Sequence, residues 1–169
     1  MQINILKKGS ARDILLISVL LFGFGLAILI VHYTFNTVTD IMLNVTTINE
    51  SSATRTALGT VRTLSNRLDY VFFGLFIALT LSMILTGYFV GGLPIFMFIY
   101  FLVVVIGVAI SALFANVWED VNTLSVLGAS LASFPIANHI IGNLPYYVTI
   151  IGMIGILVMF AKPYFQGQQ

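Results

Sequence analysis

The chain has 169 residues, of which 59% are hydrophobic and only 8% are charged, and its formal net charge is +1. Soluble domains carry about 25% charged residues, so this composition excludes an ordinary soluble fold. The small net charge provides no basic face for nucleic acid, and the absence of cysteine excludes disulfides, thiolate nucleophiles and cysteine-ligated metals.

Residues 1–13 form a short basic head that contains Lys7, Lys8 and Arg12. Residues 14–33 follow as an apolar run and predict a first membrane span, because a spanning helix needs about 20 such residues. A cleaved secretory signal is the alternative interpretation, since basic residues precede an apolar core. That core is too long for a signal and no small-residue cleavage site follows it, so we expect a retained anchor.

Residues 34–69 are the one extended polar stretch of the sequence. Their apolar residues recur at steps of three and four, which indicates helices rather than strands. A polar cluster at residues 49–52 predicts a turn in the middle of the stretch. The stretch therefore predicts an extramembrane helical hairpin that connects the first span to the second.

The longest charge-free run of the chain begins at Tyr70 and ends at Trp118. It is long enough for two spans, which we place at residues 70–90 and 94–117. The turn between them contains two adjacent glycines and ends at Pro94, a residue that is tolerated at the start of a helix. The run thus predicts two antiparallel spanning helices joined by a tight turn.

Residues 118–143 are moderately apolar, rich in small residues and interrupted by Pro135. The segment is weak as a span, so it predicts two short helices that lie at the interface or re-enter the bilayer. Residues 144–161 provide a short last span, and residues 162–169 form the tail. The predicted fold class is an all-α membrane bundle of four transmembrane helices, with both termini on the same side.

Aromatic residues at the ends of the predicted spans support this topology. Tyr and Trp prefer the membrane–water interface, because their rings are partly apolar and partly polar. In the four-span topology, the following aromatic residues share one interface: Tyr33, Tyr70, Trp118, Tyr146 and Tyr147.

Small residues spaced four apart allow helix backbones to approach closely in lipid. The second and third predicted spans each contain such a row, and the two rows lie at matched depth in an antiparallel pair. We therefore expect them to form the seam between these spans, with a further contact near the turn. The residues are Gly74, Ala78 and Ser82 in the second span, Gly107, Ser111 and Ala115 in the third, and Gly87 and Gly91 near the turn.

Few residues are candidates for chemistry. His32 lies at the end of the first span, where we expect it to reach water, and neither histidine has a carboxylate at metal-ligand spacing. We predict no catalytic, metal-binding or cofactor-binding residue and no small-molecule substrate. The remaining charged residues near the polar loop are expected to form ion pairs, in which Arg62 or Arg67 contacts Glu119 or Asp120.

The last part of the chain resembles small multi-span membrane proteins of membrane-containing tailless bacteriophages and of filamentous bacteriophages. The resemblance covers residues 94–162, including WEDVNTLSVLGASLASFPIANHIIGNLPYYVTIIGMIGILVMFAK. It lies in the order of the parts, which are a span, a small-residue segment, a proline break, a final span and a lysine. It implies a virion or assembly component whose hairpin contacts capsid or coat protein.

The sequence leads us to expect a non-enzymatic subunit that scaffolds or anchors a larger assembly in a virion or host cytoplasmic membrane. Its expected partners are the lipid bilayer and other protein subunits. The alternative function is a homo-oligomeric pore, such as a holin or small channel. Its lumen would be lined by Thr80, Ser82, Thr86, Ser111 and Asn116. A membrane enzyme is a third interpretation, which no residue supports.

Overall fold

The computed structural model describes residues 9–46, 50–90 and 94–166, and the side-chain surroundings of residues 14–46, 50–85 and 98–158. This part of the chain is all-helical and contains no strand. The helices are α1, Gly9–Leu43; α2, Ser52–Asn66; α3, Leu68–Val90; α4, Pro94–Thr123; α5, Ser125–Leu131; α6, Pro135–Gly142; and α7, Leu144–Gln166.

Three helical segments of the described chain are long and apolar enough to cross a membrane. They are Ile14–Leu43, Ser52–Leu85 and Phe98–Thr123. The pair α5–α6 is apolar enough only when taken together, and it is bent by 109°. The described apolar part of α7, Leu144–Val158, is shorter. These observations support a helical membrane bundle.

The second half of α1 packs against α2, so two helices lie where the sequence predicts a helical hairpin, and residues 47–49 of its turn lie outside the described residues. We call this unit the arm, and define it as residues 33–43 of α1, the following residues 44–46 and α2. Its return helix begins with a local cap, in which Ser51 Oγ accepts a hydrogen bond from the Thr54 N–H at 3.4 Å. The arm then continues almost directly into α3, with a single turn residue, Arg67, between the two helices.

Helices α1, α3, α7 and α4 form a ring in which each packs against the next, and α4 and α7 share the largest contact. Consequently α3 and α4 lie diagonally opposite each other and share almost no contact within the described residues. The predicted seam between these two spans is therefore wrong. Helices α1 and α7 each pack against both α3 and α4 and lie between them.

The short helices α5 and α6 lie against α1 and α4, and α6 also packs on α3. The buried face of α6 consists of Ala137, Ile140 and Ile141. The bent pair thus packs on the bundle with one side, whereas Val126 on its other side is 52% exposed. This placement brings the bend between α5 and α6 to the end of the bundle where the arm begins.

Candidate functional site

The first turn of α6 is capped by a residue from another helix. Phe134 occupies the N-cap position and has no side-chain cap to offer, while Pro135 starts the helix. The carboxylate of Asp69, only 3% exposed, accepts hydrogen bonds from the N–H of Ile136 at 3.0 Å and of Ala137 at 2.8 Å. A negative charge is favourable at a helix N-terminus, where N–H groups lack partners. Asp69 therefore fixes the bend to α3.

A second polar contact joins α1 to the arm's return helix. His32 is buried, its Nδ1 lies 2.8 Å from Ser65 Oγ, and its Nε2 lies 2.8 Å from Asn36 Nδ2. An amide nitrogen can only donate, so Nε2 accepts and Nδ1–H donates to the serine. The ring also packs edge-on against Phe134, with centroids 4.7 Å apart. The expectation that His32 reaches water is wrong, because α2 and the bend cover it.

Trp118 provides the third contact to α6. Its side chain is 2% exposed, and its Nε1–H donates to Asn138 Oδ1 at 2.9 Å. On α1, Gly25 leaves room for this ring and for the Ile141 side chain, both of which would contact a Cβ at that position. Asp69, His32 and Trp118 thus hold the bend from α3, α1 and α4, respectively.

Beside Trp118 there is a polar cleft with a volume of about 270 Å³. One wall is the last part of α4, with Asn116, Glu119 and Asn122. The other wall is α6 and its end, with Asn138 and Asn143. Four amides and one carboxylate therefore meet where α4 leaves the apolar part of the bundle.

Only one of the two predicted rows of small residues is found inside the bundle. Gly74 has open space around its Cα, and Ala78 and Ser82 are exposed. By contrast, a Cβ on Gly107 would lie 2.7 Å from Ile14 Cγ2, and this glycine therefore packs against α1. The row on α3 faces away from the bundle, so the prediction that it packs against α4 is corrected.

The other residues of the predicted seam have mixed environments. Ser111 is buried and its Oγ donates to the Val108 carbonyl at 2.8 Å, and Ala115 borders the cleft. The surroundings of Gly87 lie outside the described residues, as does Gly91 itself. The closest glycine contact in the described chain between α4 and α7 involves Gly152 and Gly155, which pack against Val104 and Tyr100.

The predicted interface anchors separate into two groups. Tyr70 and Tyr146 are each 70% exposed, which is the environment expected of an anchor, and Tyr33 and Tyr147 are half-buried. The prediction that Trp118 is an interface anchor is corrected. Its ring is enclosed by α1 and α6, and its Nε1–H donates to Asn138. Trp118 lies at the end of a predicted span, as an anchor would, but its side chain is buried in the core.

The predicted ion pairs between the arm and α4 are also corrected. Arg62 Nη2 lies 3.5 Å from Asp40 Oδ1, so the pair forms within the arm, between α1 and α2. Arg67, Glu119 and Asp120 form no ion pair within the described residues. Both partners of the observed pair are exposed, and such pairs contribute little to stability.

Sequence reasoning missed Asp69 as a functional residue. A signal was present, since this acid stands directly before the charge-free run, and a Phe-Pro break follows far downstream. A carboxylate at the boundary of a predicted span can accept hydrogen bonds from the free N–H groups of a helix that starts without a local cap. Within the described residues, no three or more His, Asp or Glu side chains are grouped so that they could hold a metal ion.

No protein-family model, curated protein or solved structure matches this chain. Its function is therefore inferred from its own geometry.

Proposed function

We propose that this chain is a four-span membrane subunit that anchors a larger protein assembly to a bilayer, and that the arm contacts the assembly. The layout shared with bacteriophage membrane proteins favours a virion membrane, with a coat or capsid protein as the partner. Both termini then lie on one side of the membrane and the arm lies on the other.

The dimensions of the helices support four spans. α1 contains 35 residues, so at 1.5 Å per residue it is about 50 Å long and exceeds a hydrocarbon core of about 30 Å. α7 contains 23 residues, about 35 Å, which is enough to cross. The bent pair α5–α6 packs against α1 and α4, and its bend of 109° makes it better suited to re-entry than to crossing.

An apolar row on the arm is the observation on which the anchoring proposal rests. Large side chains recur at intervals of three and four residues along the last part of α1 and just beyond its end at Leu43, and every one of them is exposed. The face that carries Asn36 and Thr39 packs towards α2 instead. An exposed apolar row beyond the bilayer favours a protein partner. The row consists of Phe35, Val38, Ile41, Met42 and Val45.

The predicted pore has its lumen between subunits, so it requires its lining residues to lie on one outer surface of the bundle. The residues expected to line a lumen do not share one surface, since Ser111 is buried and bonded to its own helix, whereas Asn116 borders the cleft. These observations favour the anchoring function over the pore.

A photo-reactive amino acid at Ile41 tests the anchoring function. In the assembled particle or native membrane, we expect one discrete adduct with an unlike protein, because this side chain is 61% exposed on the apolar row. Thr56 is the control position, since it is exposed on α2 and lies outside the row. Absence of a hetero-adduct at Ile41, or ion flux through liposomes that contain only this chain, would contradict the proposal.

Thiol labelling tests the number of spans, and the absence of native cysteine makes every introduced thiol unique. With four spans, Ser10→Cys and Gln168→Cys are expected to react with an impermeant reagent from one side of the membrane. Ser52→Cys, at the start of α2, is expected to react only from the opposite side. Labelling of the two terminal positions from different sides would require an odd number of spans and would reject the topology.

A further inference from the structure

We propose that the polar cleft between α4 and α6 binds the phosphoethanolamine headgroup of a bilayer lipid. This inference is independent of the anchoring function, because none of the residues that form the cleft belongs to the arm.

The cleft has a fixed pattern of donors and acceptors. Trp118 Nε1–H can only donate, so it binds Asn138 through Oδ1 and leaves the amide N–H groups of Asn138 unpaired within the described residues. Asn143 Nδ2 donates to the His139 carbonyl at 2.9 Å, which leaves its Oδ1 as a free acceptor. Each of these two amides is oriented by a partner that can only donate or only accept. The cleft therefore presents a donor from Asn138 and an acceptor from Asn143 without rearrangement.

The charge of the cleft selects a cation. Glu119 lines it, and no Lys, Arg or His is among the described residues that line it. A primary ammonium can bind the carboxylate and the Asn143 Oδ1, and a phosphate can accept from the amide of Asn138. A headgroup that carries only a phosphate would place a second negative charge near Glu119 with no cation to balance it.

The size and position of the cleft indicate a lipid headgroup. A volume of about 270 Å³ is below the usual range of about 300–1,000 Å³ for drug-sized ligands, so it suits a small polar group rather than a whole lipid. Leu113 lies one helical turn before Asn116, towards the apolar part of α4, and is 63% exposed. An acyl chain can therefore follow this surface while its headgroup occupies the cleft.

Native mass spectrometry of the full chain in detergent tests this proposal, with an equimolar mixture of phosphatidylethanolamine and phosphatidylglycerol as the probe. We expect the wild-type protein to retain the ethanolamine lipid preferentially. Glu119→Gln removes a charge-assisted hydrogen bond and is expected to lower that preference about tenfold. Asp120→Asn is the matched control, because it removes the same charge from the adjacent residue, which does not line the cleft.

Further measurements distinguish the possible outcomes. Glu119→Lys is expected to reverse the preference in favour of phosphatidylglycerol, and this gain cannot result from misfolding. Water-soluble phosphoethanolamine at the same concentration should not displace the lipid, because it lacks acyl chains. Absence of a lipid preference in the wild type, equal effects of Glu119→Gln and Asp120→Asn, or displacement by the soluble headgroup would overturn the proposal.

Discussion

Replacing Asp69 by alanine is expected to destabilise the folded protein by about 3 kcal/mol, since each buried donor left without a partner costs about 1–3 kcal/mol. Within the described residues, the Asp69 carboxylate is the only acceptor observed for the N–H groups of Ile136 and Ala137 at the start of α6. The variant removes this acceptor. Equilibrium unfolding in detergent micelles measures the loss. Asp69→Asn retains one acceptor oxygen and should lose less.

Asp40→Ala is the control for this prediction. It also removes an aspartate that contacts another helix, but its ion pair with Arg62 is exposed, and such a pair contributes about 0–1 kcal/mol. We therefore expect nearly unchanged stability for this variant. Equal losses for Asp69→Ala and Asp40→Ala would show that capping of α6 from α3 contributes little.

Replacing Gly152 by leucine is expected to force α7 away from α4, at a cost of about 2 kcal/mol or more. A Cβ at this position would lie 2.7 Å and 2.9 Å from the two methyl groups of Val104. Valine is restricted to few rotamers, so the methyl groups cannot move aside and the helices must separate. The same unfolding assay measures the change, and weaker protection of α7 from proteolysis would accompany it.

Gly74→Leu provides the matched control, because it makes the same chemical change in a spanning helix of the same bundle. A Cβ on Gly74 meets no atom within 4 Å. Leucine also has a higher helix propensity than glycine, by about 1 kcal/mol, so this variant should be neutral or stabilising. A loss comparable to that of Gly152→Leu would contradict the assignment of the tight seam to α4 and α7.

The helices themselves could be predicted from the sequence. A bilayer requires long apolar segments with internally satisfied backbones, and this requirement leaves a clear pattern in composition. The break at Pro135 and the arm's helical periodicity were equally visible. Which helices are neighbours could not be predicted. A row of small residues shows that another backbone can approach closely, but it does not show which helix approaches. Gly74 and Gly107 look alike in sequence, yet only Gly107 is packed.

The contacts that hold the bend were hidden for a different reason. Asp69 and Ala137 are separated by 68 positions, so no local pattern connects this acid to the helix that it caps. His32 and Trp118 stand at the ends of the spans predicted from the sequence, where a polar side chain usually meets water. Their burial depends on the placement of α2 and α6, which tertiary packing decides.

Capping of α6 by a residue of α3 also bears on how the protein is made. Synthesis proceeds from the N-terminus, so α3 is made before residues 124–143. Until those residues emerge, the carboxylate of Asp69 lacks the N–H groups that it binds in the finished protein. We expect nascent chains that end after α4 to be substrates for membrane quality-control proteases, whereas chains that include α6 escape them.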